Sequence, residues 1–324
     1  MGGNTPPLAV INWKPPGLEE MERSVEGFRI VVSENRNQLL DYFAEAEIAF
    51  VGAFDKELLQ VAKNLRWIHA GSAGVEGYLF PELVESQITL TCSKPCFEST
   101  GAEYALAVML TFSRQLHTDL RHRPDQQWEW DEPGTLRSDG QWPVELKGKT
   151  IGILGLGVMG LEIARMAHYF GMQVIGLAKH PRTTPQYVDQ LVALPQIEKL
   201  LESSDFVILS LPLTPETKGF FDQRKISLMK KTAYFIDVSG RPSLYDLNAI
   251  QQALIQGQLA GANLQLELPS PNSSLWNINN LLMSFHRIVS KEEYQRVTDL
   301  FFENLKRYCR GQKLLGLVNK VAGY

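Results

Sequence analysis

Lys149-Thr150-Ile151-Gly152-Ile153-Leu154-Gly155-Leu156-Gly157-Val158-Met159-Gly160 opens as an apolar run, breaks into G-x-G-x-x-G, and continues from Leu161 to Tyr169 in a helical pattern. Taken alone, the glycines fit a ligand-free turn. Strand, glycine turn and helix in that order instead fit a dinucleotide-binding β-α unit. Each glycine has its own physical reason. Gly155 makes the tight turn, Gly157 lets backbone approach a pyrophosphate, and Gly160 lets helix close on strand. The phosphate then meets the positive end of the helix, at Val158 and Met159.

Downstream the alternation continues. Strands are expected at 150–154, 173–177, 206–210, 233–238, 260–264 and 281–284, with helices at 158–169, 196–202, 223–229 and 246–256. This is the pattern of a doubly wound parallel-sheet nucleotide domain. Upstream, Leu8–Trp13, Arg29–Val32, Ile48–Val51, Trp67–Ala70 and Ile88–Thr91 are short β-rich runs separated by helical segments, the pattern of a smaller α/β domain. A single helix from Ser99 to about Leu120 is apolar on nearly every side, as a helix buried between domains or subunits is. Residues 124–146, rich in Pro, Asp and Trp, have no periodicity and are either an arm on a dimer surface or a substrate lid. The tail, Glu292–Arg310 followed by Gly311, is one amphipathic helix expected to return to the first domain. The expected division is therefore 1–99 with 288–324, and 100–287.

With 324 residues and 44% hydrophobic content, the chain exceeds what one core usually serves. Its net charge of −4 and lack of a basic stripe leave no electrostatic footprint for nucleic acid. No leader pattern or membrane-length apolar run is present, so a cytoplasmic protein is expected. Cys92, Cys96 and Cys309 are too few for a disulfide framework, lack zinc or redox spacing, and read as buried thiols; no metal is expected.

An NAD site usually carries an acid about 20 residues beyond the glycines, on the ribose hydroxyls. Here the second strand ends Leu177-Ala178-Lys179-His180-Pro181-Arg182, and no acid occurs between Glu162 and Asp189. Three potential cations beside an absent carboxylate favour NADP(H) over NAD(H). Solvated surface charge is the plainer alternative.

Several further stretches resemble the D-isomer-specific 2-hydroxyacid dehydrogenases, nearly end to end. Leu65–Val75 is similar to that family's substrate-carboxylate loop, and Ala102–Leu106 to the start of its interdomain helix. Leu211-Pro212-Leu213-Thr214-Pro215-Glu216-Thr217 is similar to the loop under the adenosine half. Leu275-Trp276 stands ten residues before His286, the family's interval to its catalytic histidine. The resemblance implies a discontinuous, flavodoxin-like substrate domain beside a Rossmann nucleotide domain, and a homodimer built near residue 100. It also implies hydride transfer between nicotinamide and a 2-keto or 2-hydroxy acid.

Such chemistry needs a general acid, a cation on the substrate and donors for its carboxylate. The resemblance assigns the acid to His286, the clamp to Arg241, and the carboxylate site to Ser72, Ala73, Gly74 and Val75. Leu211, Pro212, Thr217, Val238 and Gln265 fall to the cofactor. His69, His117, His122, His168 and His180 have no comparable catalytic context and read as structural or surface groups.

Two motifs depart from the family. Around Arg241 there is one extra residue after Asp237, where the family has Asn, and Pro242 replaces a glycine, so the turn aiming the guanidinium must differ. In Leu264-Gln265-Leu266-Glu267-Leu268-Pro269-Ser270-Pro271, an ungapped match places Ser270 at the glutamate that supports the histidine. A gapped match places Glu267 there. Gln265 replaces the aspartate at the nicotinamide amide. The open readings are a reductase of a 2-keto acid, an NADP-binding sensor or scaffold with drifted catalytic groups, and a reductase of a different carbonyl.

Overall fold

The computed structural model describes residues 6–17, 27–122, 142–179, 183–284 and 290–324. Two compact units divide the chain: Met1–Phe97 with Pro212–Thr214 and Val289–Tyr324, and Glu98–Leu211 with Pro215–Ile288.

The first unit is built on five parallel strands, β1 (Leu8–Ile11), β2 (Arg29–Val32), β3 (Ala46–Val51), β4 (Trp67–Ala70) and β5 (Thr89–Cys92), in the order β2-β1-β3-β4-β5. β1 and β4 are buried at every residue, so β1 reads as an unbroken apolar run, and β4 as one interrupted only by His69. Helices α1 (Arg36–Glu45), α2 (Lys56–Val61) and α3 (Pro81–Glu85) connect the strands. Asn35 and Asp55 cap the first two by accepting backbone N–H groups. The expected tail helix spans Lys291–Cys309, and Ser290 caps it. Its Val297, Phe301, Phe302 and Leu305 join Ile11, Ile48, Phe50 and Trp67 in one core, with Phe301 stacked on Phe50 at 4.3 Å.

The second unit begins with α4 (Glu98–Ser113) and α5 (Leu116–His122). The single helix expected over 99–120 is thus two. It breaks at Gln115, which adopts a left-handed φ of 57° and donates its N–H to Phe112 O at 3.1 Å, closing the last turn of α4. Most of 124–146 lies outside the described residues.

The sheet comprises β6 (Thr150–Leu154), β7 (Gln173–Leu177), β8 (Gln190–Val192), β9 (Phe206–Leu209), β10 (Tyr234–Asp237), β11 (Gly261–Gln265) and β12 (Leu281–Ser284). Their order is β12-β11-β10-β9-β6-β7-β8, every pairing parallel. β8 was not expected, because three residues show no period. Helices α6 (Val158–Tyr169), α7 (Ile197–Ser203), α8 (Gln223–Ser227) and α9 (Leu247–Ile255) make the crossovers. Strand order reverses between β6 and β9. Doubly wound sheets bind ligands outside the carboxyl ends at such a switch point.

Candidate active site

The glycine turn leaves β6 at that switch point. Gly155 has φ +105°, and a Cβ there would lie 2.7 Å from Ser210 O, so both conformation and space demand glycine. A Cβ on Gly160 would lie 2.1 Å from Gly155 O. Helix and strand therefore close on one another only without a side chain. Gly157 is the N-cap of α6 in an extended conformation open to any residue, and no side chain caps the helix. Its first N–H groups are thus left for an external acceptor. A pyrophosphate fits this cradle. Met159 turns its side chain onto α4, where a Cβ on Gly101 would meet Met159 Cε at 2.5 Å. Only its backbone is left for the helix end.

β7 is buried through Leu177, and Ala178 N–H donates to Val192 O at 3.1 Å. The position where an acid would meet a ribose carries a methyl group, followed by exposed Lys179. His180 and Arg182 lie outside the described residues. Leu211, Pro212 and Thr217, after β9, are half-buried.

At the ends of β10 and β11 the arrangement is of another kind. Ile236 pairs with Asn263, so alternation puts Val238, Asn263 and Gln265 on one face and Phe235 and Asp237 on the other. On the first face, Tyr104 of α4 donates to Asn263 Oδ1 at 2.9 Å and meets Ser284 Oγ. Gln265 is buried there, its Nε2 without a partner among the described residues. On the second, Asp237 is fully buried. Its Oδ1 accepts from Ser239 N at 2.7 Å and Ser239 Oγ at 2.5 Å, while Oδ2 has no partner among the described residues. Burial pushes this carboxyl above the usual carboxylate range. Beside it, burial likewise raises the Tyr245 hydroxyl. Tyr104 and Asn263 escaped sequence reading because each looks like an ordinary core-facing residue.

Gly240 has φ +66°, and Arg241 is extended at φ −127° and ψ 88° ahead of Pro242, which opens a short 3-10 turn. Arg241 is partly buried; its N–H donates to Ser239 Oγ at 3.1 Å and its Nη1 to Ser239 O. Glu267 and Leu268 are exposed, the latter at 79%, as is Ser270, whose carbonyl accepts from Trp276 Nε1 at 2.9 Å. His286 lies outside the described residues.

In the first unit, Gly71–Val75 follow β4 directly. Gly71 N–H donates to Val51 O at 2.9 Å, Ser72 Oγ to Gly74 O at 2.6 Å, and Val75 is buried. Cys92 and Cys96 are buried as expected; Cys309 is exposed at the helix end, which corrects the reading of all three as buried thiols. Among the described residues no His, Cys, Asp and Glu group could hold a metal, and no helix is long and apolar enough to cross a membrane.

A glycine cradle at the switch point of a seven-stranded parallel sheet defines a dinucleotide-binding α/β protein with a second, smaller α/β unit. Residues 106–287 match the family described as D-isomer specific 2-hydroxyacid dehydrogenase, NAD binding domain. The chain is 31% identical over 273 residues to a glyoxylate reductase of Pyrococcus horikoshii, covering 82% of this chain and 80% of that one. To a glyoxylate reductase of Thermofilum pendens it is 30% identical over 313 residues, covering 94% and 86%. A solved D-isomer specific 2-hydroxyacid dehydrogenase family protein from Aeromonas salmonicida superposes with a TM-score of 0.81 at 26% identity, covering 98% of this chain and 100% of that one. The chain belongs to the D-isomer specific 2-hydroxyacid dehydrogenase family and is an NAD(P)-dependent enzyme of that class.

Proposed function

We propose that the protein is an NADPH-dependent reductase of a small 2-keto acid, the class to which the substrate of its glyoxylate reductase relatives belongs. The cofactor choice is carried by the end of β7, where Ala178 offers no carboxylate to repel a 2′-phosphate and Lys179 stands exposed beside it. His180 and Arg182 follow in sequence as further phosphate partners. Gly155, Gly157 and Gly160, with the N–H groups of Val158 and Met159, hold the pyrophosphate. Leu211, Pro212, Thr217, Val238 and Gln265 line the rest of the cofactor.

When bound, the cofactor supplies the hydride. The backbone of Ser72, Ala73, Gly74 and Val75 holds the substrate carboxylate, Arg241 gathers the negative charge that develops on the carbonyl oxygen, and His286 delivers the proton. Glu267, which a gapped match sets at the family's glutamate, is the carboxylate assigned to support His286. The protein acts in the cytoplasm as a homodimer formed about α4, a reading supported by the exposed Leu161, Tyr169 and Phe170 at neighbouring α6.

The exposure of Glu267 favours a second reading, a nucleotide-binding protein without turnover. Purified protein, NADPH or NADH, and a panel of 2-keto acids followed by cofactor absorbance separate the two. Turnover with NADPH, abolished in Arg241→Ala and His286→Ala, is expected. Tight NADPH binding with no turnover across the panel overturns the reductase.

A further inference from the structure

Beneath the loop that follows β4 lies a buried chain of hydrogen bonds. His69, with no exposed surface, sits on β4 with Nδ1 2.7 Å from Thr91 Oγ1 and Nε2 3.0 Å from Ser93 Oγ. Trp67 Nε1 donates to Thr91 Oγ1 at 2.8 Å, and Ser93 Oγ donates to Ala70 O at 3.1 Å. The Ser93 N–H is shared between Ala70 O and Ser72 O, each at 3.1 Å. Ser72 Oγ in turn reaches Gly74 O at 2.6 Å.

One arrangement of protons uses all the short contacts. Trp67 N–H donates to the Thr91 hydroxyl, Thr91 O–H to His69 Nδ1, His69 Nε2–H to Ser93 Oγ, and Ser93 O–H to Ala70 O. Each hydroxyl then gives once and receives once. The competing outlet, Thr91 Oγ1 to Ile68 O, is longer at 3.4 Å. A protonated ring would set two donors on Thr91 Oγ1, and burial pushes His69 down to about 3, so the imidazole is neutral. Apart from those two hydroxyls the ring meets aromatic side chains, 5.3 Å from Phe50 and 5.8 Å from Phe301. Hydrophobic packing alone would be met by another aromatic ring. What the imidazole adds is a directed donor at the base of the loop.

We propose that His69, acting through Ser93, is a positioning residue that fixes the backbone of Gly71–Val75 in the geometry that receives the substrate carboxylate. This rests on the reading that the loop holds that carboxylate. His69 touches no substrate; it sets where the loop N–H groups point.

Three full-length variants test it. Ser93→Ala removes the hydroxyl that links the ring to the Ala70 carbonyl at the base of the loop and leaves the Ser93 N–H on Ser72 O, His69→Phe removes both ring nitrogens, and His69→Gln keeps a donor toward Ser93. Amide hydrogen exchange without substrate is expected to quicken about tenfold at residues 71–75 in Ser93→Ala and His69→Phe, with β6 and β9 unchanged and His69→Gln close to wild type. With glyoxylate and NADPH, KM is expected to rise about 10- to 100-fold in the same two variants, kcat and NADPH affinity holding within about threefold. Unchanged exchange at 71–75 in Ser93→Ala overturns the proposal whatever the activity. Faster exchange with unchanged KM, in a wild type that reduces glyoxylate, overturns it as well. A wild type that reduces no 2-keto acid defeats the reductase reading instead, and the exchange measurement still decides whether His69 and Ser93 hold the loop.

Discussion

The carboxyl end of β6 and the carboxyl ends of β10 and β11 belong to one sheet and solve different problems. At β6 the demands fall on backbone: Gly155 turns with φ +105°, Gly160 clears Gly155 O, and α6 starts without a side-chain cap. At β10 and β11 they fall on side-chain aim. Arg241 is tied to the Ser239 carbonyl, Asp237 and Gln265 face opposite sides, and Glu267 is exposed. Steric demands on a backbone are local and leave a sequence signature. The direction of a guanidinium depends on every residue of its turn.

If the two edges differ in kind, they should separate in mutants. Arg241→Ala is expected to lower kcat/KM for a 2-keto acid about 10²- to 10³-fold, about 3–4 kcal/mol of transition-state stabilisation, with NADPH affinity unchanged. A parallel loss of NADPH affinity would break the comparison. Gly160→Ala should act the other way: its Cβ, 2.1 Å from Gly155 O, must push strand and helix apart, costing about 1–3 kcal/mol in thermal unfolding and weakening NADPH in fluorescence titration. Gly240→Ala is the control on the other edge. A Cβ there meets nothing within 4 Å, so its left-handed φ alone costs about 1–2 kcal/mol, without the nucleotide defect.

How much of this was legible follows the same division. Both parallel sheets, the glycine turn and the acid-free end of β7 were visible because apolar runs, glycines and charges act over a few residues. The break at Gln115 was not, because its left-handed turn interrupts an apolar pattern that composition carries through. Nor was the pairing of Tyr104 with Asn263 and Ser284, which join residues 159 and 180 positions apart. The altered motifs around Arg241 and Gln265 were recognisable as alterations. Where the guanidinium and amide point could be read only from the folded turn.

Lys179 sharpens the first edge with a smaller effect. If its charge meets a 2′-phosphate, Lys179→Ala should raise the Kd for NADPH about tenfold, about 1.4 kcal/mol, and leave that for NADH unchanged. Equal shifts for both cofactors would mean that Lys179 contributes only general charge, and NADP preference would then lose its described support.

The smallest effect concerns Asp237. Its buried carboxyl has one oxygen without a partner among the described residues, and its folded pKa is raised above the unfolded value. A carboxyl raised in this way favours the folded state while protonated. That contribution is present below the ordinary carboxylate pKa and is lost as pH rises through the folded one. Asp237→Asn keeps an acceptor for Ser239, removes the charge and offers the unpartnered position a donor toward Tyr245. The variant should therefore unfold at higher urea than wild type, by about 1 kcal/mol at pH 8, with the gain shrinking toward pH 4. A gain constant across that range would show that the carboxyl titrates no differently once folded. The contrast between the edges would then rest on Arg241 alone.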